Sequence, residues 1–243
     1  MGARIEFAVT DPRITLGMAA QLAQRRARIA AGETPLGWKV GFGAPTAMKA
    51  LGITAPLIGF LMHSAKLDND ATVSLADWVK PATEAEIAVY MAHDLTAQAD
   101  RSVIQAAISG IGPAIELADV TFAPDDVEKI LAGNIYQRHV ILGSCDTTRA
   151  GAKLDGIRAR VVRNGREIGD TIDPQAATGE IISIVGLVAT TLATYGETLR
   201  AGEVIITGSI TPPLFVTAAE SLPFELHPVG ELSVRFTQAT KIL

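Results

Sequence analysis

Thr83-Glu84-Ala85-Glu86-Ile87-Ala88-Val89-Tyr90 alternates in a way that only a β-strand makes sense of. A period of two puts Glu84 and Glu86 on one face and Ile87 and Val89 on the other. Downstream, Ile111-Gly112-Pro113-Ala114-Ile115-Glu116-Leu117-Ala118 is otherwise apolar enough for a central strand, with one carboxylate set into it. Both stretches read as strands, the first with its two glutamates on one face.

Working outward, Leu16 to Ala31 has apolar residues at helical spacing, with Gly32 as its stop. Leu36 to Gly43 is β-like, and Gly37, Gly41 and Gly43 in it permit close backbone approach. Pro45 opens a short helix, Thr46 to Leu51, ended by Gly52. From Ile53 to Val79 the text is turn-rich with small strands. Arg101 to Ser109 and Asp125 to Leu131 read as helices, the latter with acids at its positive end. Asn164-Gly165 is a hairpin signal between Gly156–Arg163 and Arg166–Gly169. Ile181 to Tyr195 is a helix, and Glu203–Thr207 and Leu232–Thr237 are further strands. The expected class is α+β: a mixed or antiparallel sheet with peripheral helices. The expected division is a helical segment over 1–35 and a catalytic domain over 36–243.

Like charges about 6–7 Å apart along a strand repel modestly in water and strongly when buried. Glu84 and Glu86 alone read best as a solvated strand edge. Glu116 alters that, because a carboxylate inside an apolar strand must be paired, protonated or bound to a metal. Three carboxylates suit a hard divalent ion that keeps positions for water or substrate. The residues alone leave the metal and structural readings level. Lys39, between Trp38 and Val40 among glycines, is either a snorkelling surface lysine or a partly desolvated proton-transfer amine.

Composition narrows the function classes. The 243 residues are 48% hydrophobic and 19% charged, with a net charge of −5, which opposes a nucleic-acid or anionic-membrane surface. Arg25-Arg26-x-Arg28 reads as a solvated helix face. The lone Cys145 excludes an internal disulfide and a cysteine-based zinc site. No apolar run is long enough to span a bilayer, no signal pattern opens the chain, and a cytoplasmic location is expected. The histidines (His63, His93, His139, His227) lack zinc-site spacing, and neither a dinucleotide fingerprint nor a phosphate loop is present.

Taken together, Gly37-Trp38-Lys39-Val40-Gly41, Leu51-Gly52-Ile53, Gly59, Glu84-Ala85-Glu86-Ile87-Ala88, Ile115-Glu116-Leu117-Ala118-Asp119, Asn134, Val140 to Gly143 and Gly196 to Ser209 are collinear with one family. From about Leu36 to Phe236 the chain resembles the 2-keto-4-pentenoate hydratase family and its 2-oxo-acid decarboxylase relatives, within the fumarylacetoacetate hydrolase-like superfamily. The resemblance implies a mixed β-sandwich or β-roll with peripheral helices, in a homo-oligomer. It implies Glu84, Glu86 and Glu116 as ligands to Mg2+ or Mn2+, and Lys39 as the active-site lysine. It also implies Asn134, Tyr136 and Ser209 as substrate-binding residues.

The chemistry implied is addition of water to a small 2-hydroxy-dienoic or 2-oxo-enoic acid, held by its carboxylate and C2 oxygen, to give a 4-hydroxy-2-oxo acid. Decarboxylation of a 2-oxo diacid and C–C hydrolysis of an acylpyruvate share that head group. A non-catalytic oxo-acid binder is the reading from another class. Three positions depart from the hydratase pattern. Leu57 stands where an acid partner for the lysine is expected, Thr121 where an arginine follows the third ligand, and Tyr136 where a serine follows the asparagine. His63 is the candidate substitute acid or base.

Overall fold

Asp11 starts the first helix four residues before the apolar spacing predicts, because its carboxylate accepts from the Arg13 N–H at 2.9 Å and Pro12 fits the first turn. The computed structural model describes residues 11–238, so the first ten residues of the expected 1–35 segment lie outside them. The elements are α1 (Pro12–Ala30), β1 (Pro35–Gly41), α2 (Pro45–Leu51), β2 (Leu57–Met62), β3 (Lys66–Leu67), β4 (Ala71–Ser74) and β5 (Pro81–Met91). Next come α3 (Arg101–Ala106), β6 (Ile108–Asp119), α4 (Val127–Ala132), β7 (Gln137–Leu142), β8 (Arg158–Arg163), β9 (Arg166–Thr171) and α5 (Ile181–Thr194). The chain finishes with β10 (Val204–Ser209), β11 (Leu214–Phe215), β12 (Ser221–His227) and β13 (Gly230–Thr237).

The larger sheet runs β2-β1-β10-β5-β6-β7-β3, with β11 also paired to β5; the smaller runs β4-β13-β12-β8-β9. Both are mixed: β1–β10, β3–β7 and β4–β13 are parallel and the remaining pairs antiparallel. The expected α+β class with mixed sheets and outer helices is present. Among the described residues no helix is long and apolar enough to cross a membrane.

Strand alternation gives the larger sheet two different faces. Ile87, Val89, Ile115, Leu117 and Ile205 face the main core, with Met18 and Leu22 of α1, Val185 and Leu192 of α5, and Phe224 and Val234 of the smaller sheet. On the opposite face Leu36, Leu61, Ala88, Ala114, Val140, Val204 and Ile206 form a second, smaller apolar cluster. The sheet curls until β2 comes against β7, so this second face turns inward and the small cluster floors it.

Arg25 corrects the reading of its cluster as a solvated face. It is buried, stacked 4.5 Å over Trp38 and paired with Glu197 and Glu203 at 3.3 and 3.4 Å. Arg26 stays exposed and Arg28 partly exposed, and they pair with Glu197 and Glu33, so Arg25 alone of the cluster docks α1 onto β1. One helix boundary and one strand also differ. The helix expected to reach Ser109 stops at Ala106, because Ile108 already pairs with Met91 at the end of the β5–β6 ladder. Strand β12 is not legible in the sequence because Pro223 interrupts its pattern; that proline sits just before the stretch that pairs with β8, where no ladder donor is required.

Candidate metal centre and active site

The β5–β6 register sets Glu84 directly opposite Glu116, and Glu86 follows two residues along on the same face. One oxygen from each of the three lies within 4.8 Å of the others. Glu86 and Glu116 are fully buried, while Glu84 keeps partial exposure and marks the open side. Lys39 enters from β1, which is separated from β6 by β10 and β5. On a flat sheet that gap is about 14 Å. The curl closes it, and the Lys39 ammonium donates to Glu116 Oε1 across the interior.

The remaining partners of these groups are backbone. Gly208 N–H donates to Glu86 Oε2 at 2.6 Å, and Lys39 also donates to the Ile135 carbonyl at 3.1 Å. Among the described residues Glu86 Oε1 and Glu116 Oε2 are buried with no partner. Two orphaned carboxylate oxygens in one buried cluster are costly unless a cation binds them. Three carboxylates against one ammonium leave two negative charges uncompensated, the charge a divalent ion carries. The residues present therefore fit such an ion.

Burial, reinforced by the charge of Glu116 and opposed by Lys39, pushes the Glu84 carboxyl up to about 7. Burial, then the charges of Glu116 and Glu84, pushes Glu86 well above the usual carboxylate range. A raised carboxyl pKa favours the protonated folded state. That contribution is complete below the ordinary value of 4.5 and is lost as pH rises through about 7. A bound cation displaces those protons. The rise in melting temperature on adding Mg2+ or Mn2+ is therefore expected to be small at about pH 5 and largest near pH 8. Melting curves with and without the ion at both pH values check this, and a shift that shrinks as pH rises is the opposite result.

The other residues expected at the site divide between its rim and places apart from it. Ser209 closes β10 opposite Glu86 in register, and its hydroxyl donates to Thr211 O at 2.6 Å. Asn134 is buried and its amide grips the Phe60 backbone: Oδ1 accepts from the N–H at 2.8 Å and Nδ2 donates to the carbonyl at 2.9 Å. Tyr136 packs against Phe122 at 4.7 Å, and burial together with Asp125 and Asp126 raises its hydroxyl to about 12. Its ring therefore sits beside the start of α4.

His63 is exposed and one residue past the hairpin end where Met62 pairs with Pro35, whereas Lys39 pairs with Gly59. Gly59 and His63 are four residues apart, about 13 Å of extended chain, which sets the His63 backbone well along β2 from the Lys39 rung. Leu57 is buried on the Lys39 side of β2, opposite Gly41. The acid partner of Lys39 is Glu116 itself. Thr121 is exposed, and Asp119 takes its guanidinium from Arg138 at 3.0 Å, with the Val79 and Lys80 N–H groups.

Sequence reasoning misses the Ile135 carbonyl and the Gly208 N–H, because backbone groups leave no residue code. The signal available is glycine. A Cβ at Gly59 would lie 2.9 Å from both Asn134 Oδ1 and Lys39 Cγ, and one at Gly41 would lie 2.9 Å from Ile135 Cγ2. These two positions must stay bare for the lysine and its carbonyl to meet.

A curled mixed sheet holding a carboxylate trio and a buried lysine on its inner face is the frame of a small-molecule enzyme. The chain belongs to the fumarylacetoacetate (FAA) hydrolase C-terminal family, which it matches over residues 39–237. It is 28% identical over 218 residues to the 2-hydroxyhexa-2,4-dienoate hydratase of Comamonas testosteroni, covering 88% of this chain and 82% of that one. It is 28% identical over 228 residues to the 2-keto-4-pentenoate hydratase of Paraburkholderia phymatum, covering 92% and 86%. Among solved structures it superposes on 4-oxalocrotonate decarboxylase from Pseudomonas putida G7, complexed with calcium and acetate. The TM-score is 0.83 at 25% identity, with 92% of this chain and 85% of that one covered.

Proposed function

We propose that this chain is a divalent-metal-dependent hydro-lyase that adds water to a small 2-hydroxy-dienoic or 2-oxo-enoic acid, giving a 4-hydroxy-2-oxo acid. The observation that carries it is the buried trio with two orphaned oxygens beside Lys39. Hydratase relatives along most of the chain agree with that reading. Glu84, Glu86 and Glu116 hold Mg2+ or Mn2+, and the calcium complex of the decarboxylase supports a divalent ion. When bound, the ion supplies Lewis acidity toward the substrate's carboxylate and C2 oxygen.

The chain's own groups do the rest. Lys39, the amine at the trio, moves the enol proton of the dienoate to its far carbon, C5, giving a 2-oxo-3-enoic acid. Water then adds across the C3–C4 alkene, its hydroxyl going to C4 and its proton to C3. The apolar floor of Ala88, Ala114, Val140 and Ile206 keeps bulk water away from the inner side of the trio. Ser209, at the rim beside Glu86, offers its oxygen lone pairs as an acceptor for a substrate hydroxyl. We also read the curled sheet as the β-roll of this family, the chain from residue 36 onward as its catalytic unit, a homo-oligomer as its assembly and the cytoplasm as its location.

With Mg2+, purified protein should deplete the ultraviolet absorbance of 2-hydroxypentadienoate. Absence of depletion across a panel of such dienoates would sink the hydratase reading. Leu57 favours one second reading, decarboxylation of a 2-oxo diacid, because an apolar side chain stands where a hydratase acid is expected. Release of carbon dioxide from a 2-oxo-hexenedioate without dienoate depletion would select it.

A further inference from the structure

We propose that Asn134 is a positioning residue for Lys39, clamping the strained turn whose carbonyl fixes the lysine ammonium. Strand β2 is the edge of the larger sheet, and edge backbone turned into protein must find partners. Asn134 acts as a one-residue strand there, taking both the N–H and the carbonyl of Phe60. Gln21 does the same service for the next outward carbonyl, donating to Ile58 O at 3.1 Å. Two of the four hydrogen bonds that the Asn134 amide can make thus go to this strand edge.

What the clamp holds is unusual backbone. Asn134, Ile135 and Tyr136 have φ of 52°, 52° and 60°, three consecutive left-handed residues without a glycine. Asn tolerates that region; a β-branched residue such as Ile135 does so only when its surroundings enforce it. The result is that Ile135 points its carbonyl at Lys39 Nζ, 3.1 Å away. The ammonium is thus held by one carboxylate and one carbonyl, and Gly41 and Gly59 leave room for the turn to approach. Strain concentrated beside the one buried amine of the site is where pre-organisation is expected. The proposal rests on the reading of Lys39 as the group that moves the proton.

The test uses the full chain with Mg2+ and 2-hydroxypentadienoate, comparing Asn134→Gly and Asn134→Ala, with and without Lys39→Met. Glycine accepts the left-handed backbone but has no amide, so Asn134→Gly removes the clamp without adding backbone strain, and its unfolding midpoint reads the cost of the two lost bonds. Expected is a kcat about 10–100-fold lower in Asn134→Gly, with KM and Mn2+ affinity within a few-fold of the parent. In the Lys39→Met background the same replacement should cost nothing further. A parental kcat in Asn134→Gly, or an equal loss in both backgrounds, would overturn the proposal. Unfolding midpoints of the same proteins read the coupling without turnover: the loss caused by Lys39→Met should shrink once Asn134 is glycine, and strict additivity would count against it. If the parent turns over no dienoate, the proposed reaction fails while these midpoints still decide the role of Asn134.

Discussion

A Glu86→Gln variant is expected to turn over substrate about 10³-fold more slowly than the parent, while its metal-free form melts at the same temperature or higher near pH 8. The two halves have one cause. Glu86 is fully buried, its Oε1 has no partner among the described residues, and burial holds its carboxyl well above the usual range. In the absence of a cation its charge is a liability, so a neutral amide of the same shape removes a penalty. Gln retains the acceptor that Gly208 N–H needs at 2.6 Å. With the ion present, a ligand oxygen is exchanged for a weaker one, and Lewis-acid assistance worth several kcal/mol falls away. About 4 kcal/mol corresponds to the thousand-fold loss. A structural carboxylate predicts the reverse pattern: reduced stability with turnover little changed. Steady-state rates and melting curves on the same preparation separate the two.

Lys39→Met should produce the second large effect, a fall in turnover of about 10²–10⁴-fold through loss of proton transfer. Its stability signature differs from that of Glu86→Gln. Among the described residues Lys39 is the one cation touching the trio, donating to Glu116 and the Ile135 carbonyl from a buried position. Removing it leaves buried carboxylates facing one another, a cost of about 3–5 kcal/mol at a pH where they are ionised. Protonation relieves that repulsion, so the metal-free variant is expected to be hurt far more at about pH 8 than at about pH 5. Mg2+ should raise its melting temperature by more than it raises the parent's. An unaltered metal response in Lys39→Met would mean that the ammonium and the cation site are electrostatically separate.

The trio is legible in the sequence because the physics is local. Strand alternation alone puts Glu84 and Glu86 on one face, and an acid inside Ile111–Ala118 has few ways to exist. What local pattern does not supply is register and curl. Those set Glu84 opposite Glu116 and carry Lys39 across from a strand three places away. The same gap bears on His63. It stands four residues from Gly59 in sequence, but an extended chain turns four residues into about 13 Å, and the histidine backbone ends at the outer end of the hairpin. Asn134 stands out in the sequence, yet its use does not: its partners are the backbone of Phe60, 74 residues away. Tyr136 shares the turn with Ile135, but its ring goes to Phe122. Arg25 looks solvated from sequence because nothing in its own helix reveals Trp38 and Glu203 beneath it.

Everything at this site depends on Glu84, Glu86 and Glu116 holding one divalent ion. Crystals of the full chain grown with Mn2+ test it directly through the anomalous signal of the metal. One peak per chain is expected, with Glu84, Glu86 and Glu116 oxygens at about 2.0–2.6 Å from it, and the same peak absent from Glu86→Gln crystals. A manganese peak elsewhere, or none beside the trio at saturating metal, would contradict the assignment.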